Sequence, residues 1–389
     1  MSTKIYLIRH AEAEGNLYRR VHGHYDSNIT ELGLKQIDAL RDRFADVPVD
    51  ALYSSDLVRA QTTAQAIGVP REMETRTTPR LREVFMGRWE DTTWARLERD
   101  EAEQLAFYAR DPARWEVGEP YKEKVSRIYD VVRELGEKHP EETICIVSHG
   151  CMIRTLLGTI LGLSSERIGE IPHCDNTGVA YLEYDKGAFQ IHYMNDGSHL
   201  TPELSTFARQ SWWRDSHGKD GGNVDYFPLD LTKDADRYLA YRREAWEGVY
   251  GSLKGYAGDE AYLAQAKAHA TIHPGALVEA YLRDTPIGVV ELDLVRGDLL
   301  GEGAISFYYV LPEFRARGLG VQLMGHAVSV YRALGRDSLT LRVSEQNQAA
   351  ISFYERLGFW KVDSPTGANG MLWEMEMDIS VRVRECEWM

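Results

Sequence analysis

The sequence predicts an α/β protein of two domains, and three observations carry that expectation. A chain of 389 residues exceeds what one ordinary hydrophobic core organises. Residues 1 to about 208 alternate short β-branched runs with helical stretches, the pattern of a mostly parallel sheet covered on both faces. That pattern then fails in a polar, glycine-rich stretch, and a different α/β order follows it. The expected division is 1–208, a linker over 209–223, and 224–389.

In the first domain Ile5–Arg9, Ala51–Ser54 and Ile144–Ser148 read as strands. Thr30–Asp46, Leu57–Ile67, Lys122–His139 and Cys151–Leu161 read as helices. Val179–Tyr184 and Phe189–Met194, joined by Asp185-Lys186-Gly187, read as a hairpin at the sheet edge. The linker holds Trp212-Trp213, a pair expected to dock against a domain, and Gly221-Gly222. Beyond it come strand Tyr226–Leu231, helices through His269, and a hairpin of Leu277–Leu282 with Ile287–Leu294. Strand Ala304–Val310, helix Gly318–Leu334, strand Ser338–Val343, helix Gln348–Leu357 and closing strands complete the pattern.

Composition is that of a soluble globular protein, with 43% apolar and 27% charged residues. Net charge is −15 and both parts are acidic, which argues against a nucleic-acid partner. No apolar run approaches the ~20 residues of a membrane span, and no signal segment opens the chain. Cys145, Cys151, Cys174 and Cys386 lack paired spacing, so reduced, buried thiols in a cytoplasm are expected. Metal-ligand spacing is absent, and no metal is expected. Oligomeric state stays open.

Two strands each deliver a histidine to their carboxyl ends: Arg9-His10-Ala11 after Ile5–Ile8, and His149-Gly150 after Ile144–Ser148. Open α/β sheets bind ligands at that edge. A phosphomonoester is dianionic and needs a cationic cradle and an in-line nucleophile. Arg9 and Arg59 can fork onto phosphate oxygens and keep a neighbouring His10 neutral and nucleophilic. His149 is a second donor, and Glu83 is the candidate acid for the leaving alkoxide and base for water. His22 and His24 are expected at the pocket rim or on the surface.

These residues stand in ordered blocks: Arg9-His10-Ala11-Glu12-Ala13-Glu14-Gly15-Asn16, Thr30-Glu31-Leu32-Gly33, Ser54–Ala64, Leu81-Arg82-Glu83 with Gly87-Arg88-Trp89-Glu90, and Val147-Ser148-His149-Gly150. Together they resemble the histidine phosphatase superfamily, in its phosphoglycerate mutase-like branch, over nearly all of residues 1–200. The resemblance implies a three-layer α/β/α domain, a phosphohistidine at His10, and a neutral phosphate donor at Asn16. Ala11 stands where that family usually has glycine, and Gly118-Glu119-Pro120 replaces the commoner Gly-Glu-Ser. The compact stretch between Glu83 and His149 favours hydrolysis over a mutase-type phosphotransfer.

In the second domain Val310–Gly320 leads from a strand into a helix, with Arg315, Ala316, Arg317, Gly318, Leu319 and Gly320 forming the turn. Backbone N–H groups at such a helix start suit a pyrophosphate, and the two arginines add charge. With Asn347–Phe359 downstream, the arrangement resembles the GNAT N-acetyltransferases, which implies a mixed α/β fold and acetyl-CoA as cosubstrate. By that resemblance Val310 meets the pantetheine arm, Asn347 contacts the cofactor, and Tyr354 protonates the departing thiolate. Glu291 and Asp293 share one strand face, where they could take the amine proton through water or simply face solvent.

The expected whole is a bifunctional enzyme acting on a small phosphate ester and a small amine. The open alternative is an active phosphatase whose second domain binds acetyl-CoA as a regulatory module.

Overall fold

A computed structural model describes residues 2–210 and 222–386. The chain forms two units, Met1–Gly221 together with Val381–Met389, and Gly222–Ser380. Trp212-Trp213 and most of the expected linker lie outside the described residues. The sequence division placed 381–386 in the second domain, whereas the structure places them in the first unit. There the Cys386 N–H donates to Gln65 Oε1 at 2.8 Å, and the Arg382 N–H donates to Asn28 Oδ1 at 3.1 Å.

The first unit contains β1 (Thr3–Arg9), β2 (Ala51–Ser55), β3 (Thr75–Thr78), β4 (Thr143–Ser148), β5 (Val179–Asp185) and β6 (Ala188–Asp196). Its helices are α1 (Glu14–Tyr18), α2 (Glu31–Arg43), α3 (Val58–Gly68), α4 (Trp94–Asp100), α5 (Ala102–Arg110), α6 (Tyr121–Lys138), α7 (Gly150–Ile160) and α8 (Thr206–Arg209). The sheet order is β3-β2-β4-β1-β5-β6, parallel through β1 and antiparallel in the β5–β6 hairpin at its edge.

Strand alternation separates two cores. Ile5, Leu7, Ile144 and Ile146 pack with Ile128 and Val132 of α6 and Met152 and Leu156 of α7. Ile8, Cys145 and Val147 pack on the opposite face with Ile37 and Leu40 of α2 and Ala60 and Ala64 of α3. The result is three layers, helices on a sheet on helices. Because β1 and β4 are adjacent and parallel, with Arg9 opposite Ser148, the residues that follow them emerge side by side. Those residues are His10 and His149.

The second unit contains β7 (Asp225–Pro228), β8 (Leu277–Leu282), β9 (Thr285–Asp293), β10 (Glu302–Val310), β11 (Ser338–Ser344), β12 (Trp360–Asp363), β13 (Thr366–Gly367) and β14 (Gly370–Asp378). Helices α9 (Ala235–Tyr250), α10 (Asp259–Ile272), α11 (Gly320–Ala333) and α12 (Gln348–Arg356) accompany them. The sheet runs β12-β14-β11-β10-β9-β8-β7, with β13 paired to β14. The first strand ends at Pro228, short of Leu231; as an edge strand it tolerates the proline, and one more bond follows, from the Leu229 N–H to Leu277 O at 3.1 Å.

Beta-10 pairs with β11 only over Glu302–Ile305, although both strands continue. The far end of β10, through Val310, is therefore left without a partner on that side. All four cysteines are free, but only Cys145 and Cys174 are buried; Cys151 and Cys386 are half-buried. Among the described residues no helix is long and apolar enough to cross a membrane, and no cluster of side chains is arranged to hold a metal ion.

Candidate functional site

The two strand-end imidazoles meet, with His10 and His149 ring centroids 5.1 Å apart. His10 Nδ1 lies 2.7 Å from the Ala11 carbonyl oxygen. A carbonyl only accepts, so Nδ1 carries the proton and Nε2 of the neutral ring keeps a lone pair. Burial, then the Arg59 and Arg9 charges, hold the His10 pKa well below the ordinary imidazole value. His149 is depressed likewise by burial, Arg59 and His10, and neither of its ring nitrogens has a hydrogen-bond partner.

The arginines are fixed through backbone carbonyls. Arg9 donates from Nη1 to Cys174 O, while its Nε is buried without a partner. Arg59, 2% exposed, donates to Tyr25 O at 3.1 Å and Gly23 O at 2.6 Å, with Asp26 at 3.7 Å. Asn16 Oδ1 accepts from the Ala13 N–H at 3.1 Å and from Asn176 Nδ2 at 3.4 Å, which turns its Nδ2 outward from those bonds. A Cβ on Gly15 would lie 2.6 Å from the His22 ring, so only glycine admits that imidazole beside the pocket.

Glu83 enters from the loop before a single 3₁₀ turn at Gly87–Trp89. Its Oε2 accepts the Cys151 N–H at 3.1 Å and its Oε1 the Val84 N–H at 2.9 Å. The loop itself is clasped by Arg127, which donates to the carbonyls of Arg80, Arg82 and Glu83 and pairs with Glu119 at 2.6 Å. His24, expected only at the rim, touches the same loop through Nε2 and Glu83 O at 2.9 Å.

In the second unit Ala316 and Gly318 adopt φ of 57° and 75°, turning the chain into α11, whose N-terminus has no side-chain cap. Arg315 Nε donates back to Val310 O at 2.8 Å, and Arg317 lies over the Phe314 ring. Leu319 is buried and Gly320 opens the helix. Asn347 caps α12, its Oδ1 accepting the Ala350 N–H at 3.2 Å. Tyr354 is buried against Tyr308, Phe353 and Phe359, and burial raises its phenol pKa.

Glu291 overturns the solvent-facing reading. It is fully buried, taking hydrogen bonds from Tyr238 (2.6 Å) and Arg242 (2.6 Å) and facing His269 Nδ1 at 2.7 Å. Asp293, partly exposed, stands 3.6 Å from His269 Nε2.

Comparison with known proteins matches this architecture. The family model "Histidine phosphatase superfamily (branch 1)" matches residues 5–197, and "Acetyltransferase (GNAT) family" matches 238–359. The protein of Proteus mirabilis named "Probable phosphoglycerate mutase GpmB" is 31% identical over 204 residues, 51% of this chain and 95% of that one. Its Yersinia pestis namesake is 31% identical over 213 residues, 53% and 99%. The solved structure of Bacillus stearothermophilus YhfR is 29% identical, covering 51% of this chain and 98% of its own, at a TM-score of 0.49. This chain belongs to the histidine phosphatase superfamily, and a GNAT acetyltransferase domain follows in the same polypeptide.

Against the phosphatase family's usual pattern, Ala11 is fully buried and its N–H donates to Thr63 Oγ1 at 2.9 Å. Its methyl group is accommodated. Pro120 stands at the N-cap of α6, where its missing N–H leaves nothing unpaired. Asn176 was not foreseen: its Nδ2 donates to His10 O at 2.9 Å and its Oδ1 is buried without a partner. The run Asp175-Asn176-Thr177-Gly178 signals a turn, and nothing in it signals a pocket.

Proposed function

We propose that the first domain hydrolyses a small phosphomonoester through a phosphohistidine on His10. The supporting observation is a set of buried, unpartnered donors, Arg9 Nε and the His149 ring, beside the His10 imidazole. Buried polar atoms are ordinarily paired, and a phosphate brings the acceptors that these lack. His10 Nε2 attacks phosphorus, the P–O bond breaks, and the Glu83 carboxyl gives its proton to the leaving oxygen. Water then attacks the phosphohistidine, the Glu83 carboxylate takes its proton, and the P–N bond breaks to release phosphate. Arg9, Arg59, His149 and Asn16 hold the three equatorial oxygens.

The relatives' name points to phosphoglycerate mutase. The compact stretch between Glu83 and His149 favours water as the final acceptor instead. Phosphate release from p-nitrophenyl phosphate, lost in His10→Ala, tests the reading; a wild-type protein inert toward every phosphomonoester would overturn it.

For the second domain we propose acetyl-CoA-dependent N-acetylation of a small amine. The turn from Arg315 to Gly320, with its uncapped helix start, fits a pyrophosphate. The β10 edge beyond Ile305, which β11 leaves unpaired, fits the amide-bearing pantetheine arm, with the Val310 carbonyl held meanwhile by Arg315. Acetyl-CoA supplies an activated acetyl group. The amine nitrogen attacks the thioester carbonyl and the C–S bond breaks; Tyr354, kept protonated by burial, gives its proton to the departing thiolate and regains one, through water, from the acylated nitrogen. Thiol release with an amine panel tests this; acetyl-CoA that binds, is never consumed, and changes the phosphatase rate would establish the regulatory alternative.

A further inference from the structure

Helix α6 buries a stripe of Lys124, Ile128, Val131, Val132 and Leu135. The spacing is that of one helix face, and a lysine occupies the position where the stripe calls for an aliphatic side chain. Lys124 is 3% exposed. Its ammonium reaches the Cys151 thiol at 3.9 Å and lies over the Tyr121 ring at 5.0 Å, and no carboxylate pairs with it among the described residues. A thiol is a weak acceptor and a ring face is only partial compensation, so this charge is stranded.

One turn further along α7, Arg154 repeats the situation. Its Nε donates to Ile171 O at 2.6 Å, and it makes no ion pair among the described residues. Burial lowers its pKa, the Cys151 thiol and the Tyr108 phenol act against that, and Arg154 in turn helps to hold the His173 imidazole down, to about 4. Lys124 of α6 thus reaches Cys151, and Arg154 of α7 acts on the same thiol electrostatically, neither with a carboxylate partner among the described residues.

Their position gives the pair a meaning. Cys151 is the residue whose N–H holds the Glu83 carboxylate. An acid that protonates the leaving oxygen stands where the organic part of the ester departs. That organic part therefore extends past Glu83 toward Cys151, whose rim is completed by the half-buried Tyr108 and Tyr121.

We propose that Lys124 and Arg154 form a second anion subsite, selecting phosphomonoesters whose leaving group carries a further carboxylate or phosphate. This rests on the phosphohydrolase reading of the same pocket. The subsite supplies the counter-charge that the fold withholds, and an ester with a neutral leaving group forgoes it.

The test compares ethyl phosphate with phosphoglycolate, nearly the same size but bearing a carboxylate, and with ethylene glycol bisphosphate, bearing a second phosphate. The full chain and its Lys124→Met and Arg154→Gln variants are assayed, with melting curves confirming folding. The wild type should prefer one of the anionic esters by about tenfold or more in kcat/KM, and Lys124→Met should collapse that ratio, mainly through KM. Which ester leads identifies the anion. A wild-type ratio near one, or a ratio that survives in both variants, overturns the subsite. If no ester is turned over, the phosphohydrolase reading falls. The subsite is then judged from thermal shift: tighter binding of phosphoglycolate than of ethyl phosphate, lost in Lys124→Met, upholds it, and equal binding overturns it.

Discussion

His10 donates through Nδ1 to the carbonyl of its own neighbour Ala11 at 2.7 Å, and this bond decides which nitrogen can react. The nucleophile proposed at His10 is thus oriented by the backbone. Charge is supplied separately by arginines anchored to carbonyls, so the imidazole stays neutral while its surroundings are cationic.

That separation has a pH signature. His10 and His149 are held neutral by burial first and then by Arg59, so the unfolded chain binds protons that the folded one refuses. Stability therefore rises with pH and is lost as pH falls through about 6.5, by up to about 1.4 kcal/mol per pH unit for each ring. Urea midpoints between pH 5 and 7 should show a slope shallower by about that amount in His149→Gln. Parallel curves would contradict the assignment.

Arg59 uses a planar fork to bridge two carbonyls and the pocket. Lysine keeps the charge and loses the fork. Arg59→Lys should lower kcat/KM for any hydrolysed ester by about 10²-fold or more, while an exposed control such as Arg167→Lys stays near wild type.

The Arg127–Glu119 pair touches no reacting atom; it positions the Glu83 loop. Arg127→Met should cost about 3 kcal/mol by leaving Glu119 unpaired, and kcat should fall with little change in KM. Loss confined to stability, with kcat intact, would reduce the pair to scaffolding.

In the second unit, Glu291→Gln should destabilise by about 3 kcal/mol because Arg242 loses its buried partner. The double variant Glu291→Gln with Arg242→Met should recover a large part of that loss. Additive penalties in denaturant titrations would show that the two side chains are not coupled.

The layered fold was readable because its buried strands are continuous apolar runs and its helices carry regular stripes. Ile144–Val147 announces a central strand in a way that the polar, half-exposed Thr-Arg-Thr-Thr of β3 does not. Helices α4 and α5 went unnoticed between the motifs, in a stretch read only for its compactness. In the pocket, the residues that would meet phosphate form ordered local motifs, so they could be found. Arg127 and Asn176 could not: they act on a loop 44 positions away and a strand end 166 positions away, a proximity that exists only after folding. The solvent-facing reading of Glu291 fails for the same reason, since Tyr238, Arg242 and His269 enclose it from two separate helices.

Residues 382–386 bond back to Asn28, Glu31 and Gln65, more than 300 positions earlier. The phosphatase half is thus interrupted in sequence and continuous in space. During synthesis it waits for the acetyltransferase half to be translated before its last hydrogen bonds can close. A single cut near residue 215 would not yield two whole proteins, because the upstream fragment would lack a piece that the downstream fragment carries away.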